Sequence, residues 1–140
     1  MRKMIPHVES VSAVIMRNGK VFLRRRPLSG LLGGLWEFPD WRIKEKQISG
    51  LRMRLRNHIK KDVGITADVK ELIGTFKQTF SHFKLTLRVY HCQAIGGGKK
   101  ASWVAIRNLY LFPMSRIHRR IAQKLDGETR GNGDTENVSL

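Results

Sequence analysis

Asn18-Gly19 stands between two runs of β-branched and apolar residues, Val8 to Met16 and Val21 to Leu23, and nothing else in the chain restricts its fold as much. Asn-Gly accepts the two positive-φ positions of a type I′ turn, whose twist matches that of the strands it joins. The chain therefore opens as a β-hairpin. Arg24-Arg25-Arg26-Pro27 ends it, because proline withdraws an amide from the ladder. A glycine-rich loop, Ser29-Gly30-Leu31-Leu32-Gly33-Gly34, then leads into a short apolar strand, Leu35-Trp36-Glu37-Phe38, closed by Pro39.

Helical spacing follows. Apolar residues at 48, 51, 55, 59 and 63 recur in steps of three and four, which places them on one stripe. Gly64 suits the C-terminal cap. Arg52, Arg56 and Lys60 share another face, flanked by Arg54 and Lys61, so this helix is amphipathic and basic. The chain becomes strand-like from Val69 to Phe76. Leu85, Leu87 and Val89 alternate with Thr86, Arg88 and Tyr90, the period of a strand with one buried face, from about Lys84 to Ala94. A loop, Lys77 to Phe83, joins the two. Gly96 to Lys100 is a turn, Trp103 to Ile106 a short edge element, and Ile117, Ile121 and Leu125 mark a second helix. Strands interleaved with two main helices argue for an α/β sandwich with a mixed sheet over residues 5–125. Residues 126–140 are polar and glycine-rich, with almost nothing to bury, and are expected to be disordered.

At 140 residues the chain is one domain's worth, and 41% apolar residues are enough for a core. Its 27 Lys+Arg against 11 Asp+Glu give a net charge of +16, which favours polyanionic partners and makes nucleic acid the leading class. Because 126–140 hold four acids and one base, the body up to Leu125 is more basic still. No run reaches the roughly 20 apolar residues of a membrane span, and no signal peptide is visible at the N-terminus. A single cysteine, Cys92, excludes an internal disulfide and any thiolate cluster, so a reducing, cytoplasmic and nucleoid-associated setting is expected, with Cys92 a buried small apolar residue. Histidines at 7, 58, 82, 91 and 118 lack metal-ligand spacing.

Three stretches together carry a family resemblance: Arg24 to Pro39 with its Leu-Leu-Gly-Gly-Leu-Trp-Glu-Phe-Pro run, Thr79-Phe80-Ser81-His82-Phe83-Lys84-Leu85-Thr86-Leu87, and Phe112-Pro113-Met114-Ser115 with His118-Arg119. They resemble the C-terminal, MutT-like (Nudix-fold) domain of the MutY adenine DNA glycosylases, in the family's order from Ile5 to Leu125. The resemblance implies a Nudix-like α/β/α sandwich, monomeric, that recognises 8-oxoguanine opposite adenine in duplex DNA for base-excision repair, while a separate helical glycosylase domain flips and hydrolyses the adenine. It assigns lesion reading to Phe80, Ser81 and His82. The chemistry suits Ser81: oxidation turns N7 of guanine into a donor and adds an oxygen at C8 on the major-groove edge, and a hydroxyl both donates and accepts. Phe80 is then expected to press against the bases and His82 to orient the loop or touch phosphate. Phosphate contacts are expected from Arg52, Arg56, Lys60, Lys77 and Lys84, which position a duplex without reading it. Read without the resemblance, the loop is a plain hairpin connection, Phe80 and Phe83 packed inward and Ser81 and His82 facing water.

No autonomous catalysis is expected. A four-cysteine cluster and an acidic pair for opening a glycosidic bond are absent, so an iron–sulfur cluster would belong to the glycosylase domain, and this chain needs no cofactor or metal. The start at Met1, just before the first strand, is what a domain cut from a longer chain would show. The Nudix hydrolase signature, G-x5-E-x7-R-E-U-x-E-E-x-G-U with U aliphatic, gathers glutamates for a divalent cation. Anchored on Gly64-Ile65, it sets Asn57 against its arginine, His58 against the next glutamate, and Lys61 and Asp62 against the glutamate pair. Asp62 alone keeps a carboxylate. An atypical hydrolase then requires Glu37, Glu45 and Asp62 to meet by another arrangement. Trp41, where many relatives carry glycine, is expected to cover the degenerate cleft. A basic protein-interaction module is the third reading.

Overall fold

The structure is a computed structural model that describes residues 5–30, 32–98 and 101–137, with side chains described as far as 128. Leu31 of the glycine-rich run, Lys99-Lys100 of the expected turn and residues 138–140 lie outside the described residues. Seven strands and two main helices follow one another as β1 (His7–Arg17), β2 (Lys20–Arg25), β3 (Trp36–Glu37), β4 (Asp40–Ile43), α1 (Leu51–His58), β5 (Ile65–Thr79), β6 (Lys84–Gly97), β7 (Ser102–Ala105) and α2 (Arg116–Asn137). Asn18 and Gly19 take φ of 50° and 77°, the paired left-handed conformation the hairpin needs.

β1 organises the sheet. It runs parallel to β6 from the His7–Lys84 pair to the Met16–Gln93 pair, and β6 in turn pairs antiparallel with β5. On its other edge β1 pairs with β2 near the hairpin and with β4 further down, Glu9 opposite Ile43 and Ser12 opposite Asp40. The sheet is mixed, as expected. Alternation along β1 divides its side chains between two cores. Val11, Ala13 and Ile15 pack with Leu51, Leu55 and Ile59 of the α1 layer, whereas Val14 packs with Leu87, Val89, Ile117, Ile121 and Leu125 on the α2 side. Each fully buried Leu or Ile contributes about 1.5–3 kcal/mol, so both layers are strongly held.

Three boundaries differ from the sequence reading. β4 follows Pro39 where the strand was expected to stop. The Pro39 carbonyl accepts the Ala13 amide (3.0 Å) and the Ser12 hydroxyl (2.9 Å), which draws the next residues onto β1. The first helix begins at Leu51, after Gly50 with φ of 72°, and widens into a π turn, Ile59–Val63, before Gly64 caps it. From Asp126, where the sequence reading expected a disordered tail, α2 runs on to Asn137. Once the Ile117, Ile121, Leu125 stripe has fixed the helix, each added residue gains a backbone bond without a new nucleus, and Lys124 pairs with Glu128 one turn on at 3.5 Å.

Candidate functional site

β4 presents neighbouring residues to opposite faces of the sheet. Asp40 turns toward α2, where its Oδ2 lies 3.0 Å from Nε2 of His118. The Phe38 amide donates to Nδ1 of the same ring at 3.3 Å, so the imidazole proton resides on Nε2 and is given to Asp40. The ring stacks on Phe38, 5.9 Å between centroids. Beside it, buried Glu37 is clamped by Arg24 Nε (3.0 Å) and Arg26 Nη1 (2.8 Å). Arg25 points the other way, to the Gly34 carbonyl, as strand alternation requires. Ligand atoms of Glu37, Asp40 and His118 lie within 4.8 Å of one another. Both Glu37 oxygens and both His118 nitrogens are nevertheless engaged within the protein, so the trio is a closed network that fixes β3, β4 and α2 together.

Trp41 turns to the α1 side. Its indole Nε1 donates to Asp62 Oδ2 at 2.5 Å, and its ring stacks on His58 with 5.4 Å between centroids and 13° between planes. The Arg24 guanidinium lies over the same indole at 5.7 Å. Trp41 thus covers the helix face expected to carry a cleft. Glu37 is held by Arg24 and Arg26, Asp62 by Trp41, and Glu45 is exposed in a 3-10 turn; among the described residues these three do not form a cluster of ligand atoms.

Phe80 to Phe83 form the turn between β5 and β6. The Phe80 amide donates to the Phe83 carbonyl at 2.7 Å, and the two rings stack 4.6 Å apart. Ser81 and His82 are exposed at the tip. Behind them Phe80 and Phe83 wall a cleft of 270 Å³, whose floor includes Trp36, Glu37, Asp40 and His118. Lys77 and Lys84 flank the loop, exposed and without an ion-pair partner among the described residues. The other expected phosphate contacts lie elsewhere. Arg52 donates to the Val69 carbonyl (3.3 Å) and the Lys70 carbonyl and lies over Tyr90, about nine β5 residues, roughly 30 Å, from the turn. Arg56 and Lys60 are exposed on the α1 layer.

The NUDIX domain profile matches residues 11–124. The chain belongs to the Nudix family. CTP pyrophosphohydrolase of Escherichia coli K12 is 29% identical over 94 residues, 67% of this Nudix chain and 68% of that protein. Human adenine DNA glycosylase is 34% identical over 93 residues, 61% of the chain but only 16% of the glycosylase. Among solved structures, the C-terminal domain of mouse MUTYH in its complex with human PCNA superposes with a TM-score of 0.64 at 20% identity, covering 88% of this chain and 90% of that one. The resemblance to MutY glycosylases and the α/β sandwich are both borne out.

The divalent cation implied by the Nudix fold does not fit this domain. Of the positions aligned with the signature's glutamates, His58 is under the indole, Lys61 carries a positive charge, and the Asp62 oxygen accepts the indole N–H. The sequence reading placed His118 in the stretch that carries the resemblance and among histidines without ligand spacing, and gave it no partner. The pairing of Arg24 with Glu37 across β2 and β3 was available from strand alternation, but the return of α2 onto β4 was not. Cys92 is fully buried, and burial raises its thiol to about 12. On the exposed hairpin, a hydrogen bond from His91 holds the Glu71 carboxyl below its ordinary value.

Proposed function

We propose that this Nudix domain reads 8-oxoguanine opposite adenine in duplex DNA, as the recognition part of an adenine glycosylase whose base-hydrolysing domain is a separate unit. The observation that carries the reading is the β5–β6 turn. Its Phe80–Phe83 stack and short backbone bond hold the loop in shape before any ligand arrives, and they leave Ser81 and His82 projecting. A preformed loop loses little freedom on binding. The Ser81 hydroxyl is matched to the changed edge of the oxidised base, and Lys77 and Lys84 bring two cations to the phosphates beside it. Support also comes from the similarity to human adenine DNA glycosylase and from the plugged α1 face, which offers no carboxylate set for nucleotide hydrolysis.

Fluorescence anisotropy tests this with duplexes containing 8-oxoguanine or guanine opposite adenine, each at two salt concentrations. The lesion duplex is expected to bind more tightly at both. Ser81→Ala is expected to reduce that preference about tenfold, the loss of one base-edge contact of about 1.4 kcal/mol, and to leave binding to undamaged duplex unchanged. Equal weakening on both duplexes removes Ser81 as the reader.

A further inference from the structure

We propose that the Trp41 indole is a fixed plug that occupies the cation position of the Nudix fold and closes it to divalent metal independently of the lost glutamates. The argument is geometric. An ion shared by positions 58 and 62 must bind oxygen at about 2.0–2.1 Å if it is magnesium-sized. The indole touches both positions at once, face to face with the His58 ring and with its N–H 2.5 Å from Asp62 Oδ2. One Asp62 oxygen is therefore already engaged on the side that the indole fills. Charge adds to the exclusion, since the Arg24 guanidinium lies 5.7 Å from the indole and Lys61 adjoins Asp62 in sequence. Restoring carboxylates alone then leaves the position sterically filled.

This inference does not depend on lesion reading, because it concerns the opposite face of the sheet from the cleft under the Phe80 turn. The test is manganese binding by the whole chain, measured from the free-ion paramagnetic resonance signal. The unaltered protein is expected to show no saturable site. The double variant His58→Glu/Lys61→Glu is compared with the same pair carrying Trp41→Gly, and the glycine variant is expected to bind manganese at least tenfold more tightly. Equal affinity in the two overturns the plug, as does a saturable site in the unaltered protein. Should glycine at 41 impair folding, hydrogen exchange of the Trp41 indole N–H in the unaltered protein decides the matter. Exchange slowed at least tenfold relative to the urea-unfolded chain is expected, and exchange at the unfolded rate overturns the proposal.

Discussion

Asp40 and Trp41 are neighbours in sequence, yet each belongs to a small polar group of a different kind. On the α2 side, Asp40, His118 and Glu37 with its two arginines form a network in which Glu37 and His118 are buried, and most donors and acceptors are used. On the α1 side, Asp62, Trp41 and His58 form a stack at the surface, where Asp62 is exposed. The first group holds three elements in register beneath the β5–β6 turn, so breaking it disturbs charges held in a partly buried, low-dielectric setting. The second covers the α1 face at the surface, and water stands ready to replace each contact. One face is thus held rigid by buried charge, and the other is only occupied.

The largest expected effect tests that asymmetry directly. Glu37→Ala removes the carboxylate that Arg24 and Arg26, each about one-third exposed, both hold, and is expected to cost about 3 kcal/mol after allowance for that exposure. Asp62→Ala on the opposite face is expected to cost under about 1 kcal/mol. Urea unfolding of the two variants measures both, and equal losses would erase the distinction between the faces.

The next effect concerns the core beneath α1. Cys92 packs there, and its thiol is pushed up from 9.0 to about 12 by burial. A group whose folded pKa is raised favours the native state below its unfolded value, and that advantage is lost as pH rises through the window from 9 toward 12. By pH 10 the unfolded chain gains about 1.4 kcal/mol from ionising this thiol. Stability is therefore expected to fall more steeply between pH 8 and pH 10 in the natural chain than in Cys92→Ala, whose own packing loss is independent of pH. Parallel slopes would mean that the α1 layer opens to solvent in the native state.

Much of this architecture was legible in the residues because it rests on local chemistry. Asn18-Gly19, the alternation of 84–94 and the 48–63 stripe each dictate one element with little help from the rest. The turn at 80–83 was legible in the same way, since it joins two strands adjacent in sequence. What escaped depended on distant approach. β4 exists because the Pro39 carbonyl meets Ala13 and Ser12, and the His118 network exists because α2 returns to a strand 78 residues earlier. The expected phosphate face divided for a related reason. Helical periodicity placed Arg52 and Arg56 together on α1, but it carried no information about which arginine the β5 carbonyls would capture.

That capture gives the smallest and most selective effect. Arg52 and Arg56 are one helical turn apart, and sequence alone treats them as equivalent. In the structure the Arg52 guanidinium is engaged by the Val69 and Lys70 carbonyls and by Tyr90, whereas Arg56 is exposed with no ion-pair partner among the described residues. If the α1 face meets a duplex at all, Arg56→Ala is expected to reduce the slope of log affinity against log salt by about 0.9, the release of one fewer counterion. Arg52→Ala is expected to leave that slope unchanged and instead loosen the contact between α1 and β5. Titrations of an undamaged duplex at four salt concentrations separate the two variants. Equal slope changes would show that Arg52 leaves its carbonyls to reach phosphate; no change in either would confine the DNA contact to the loop end of the sheet, where Lys77 and Lys84 stand.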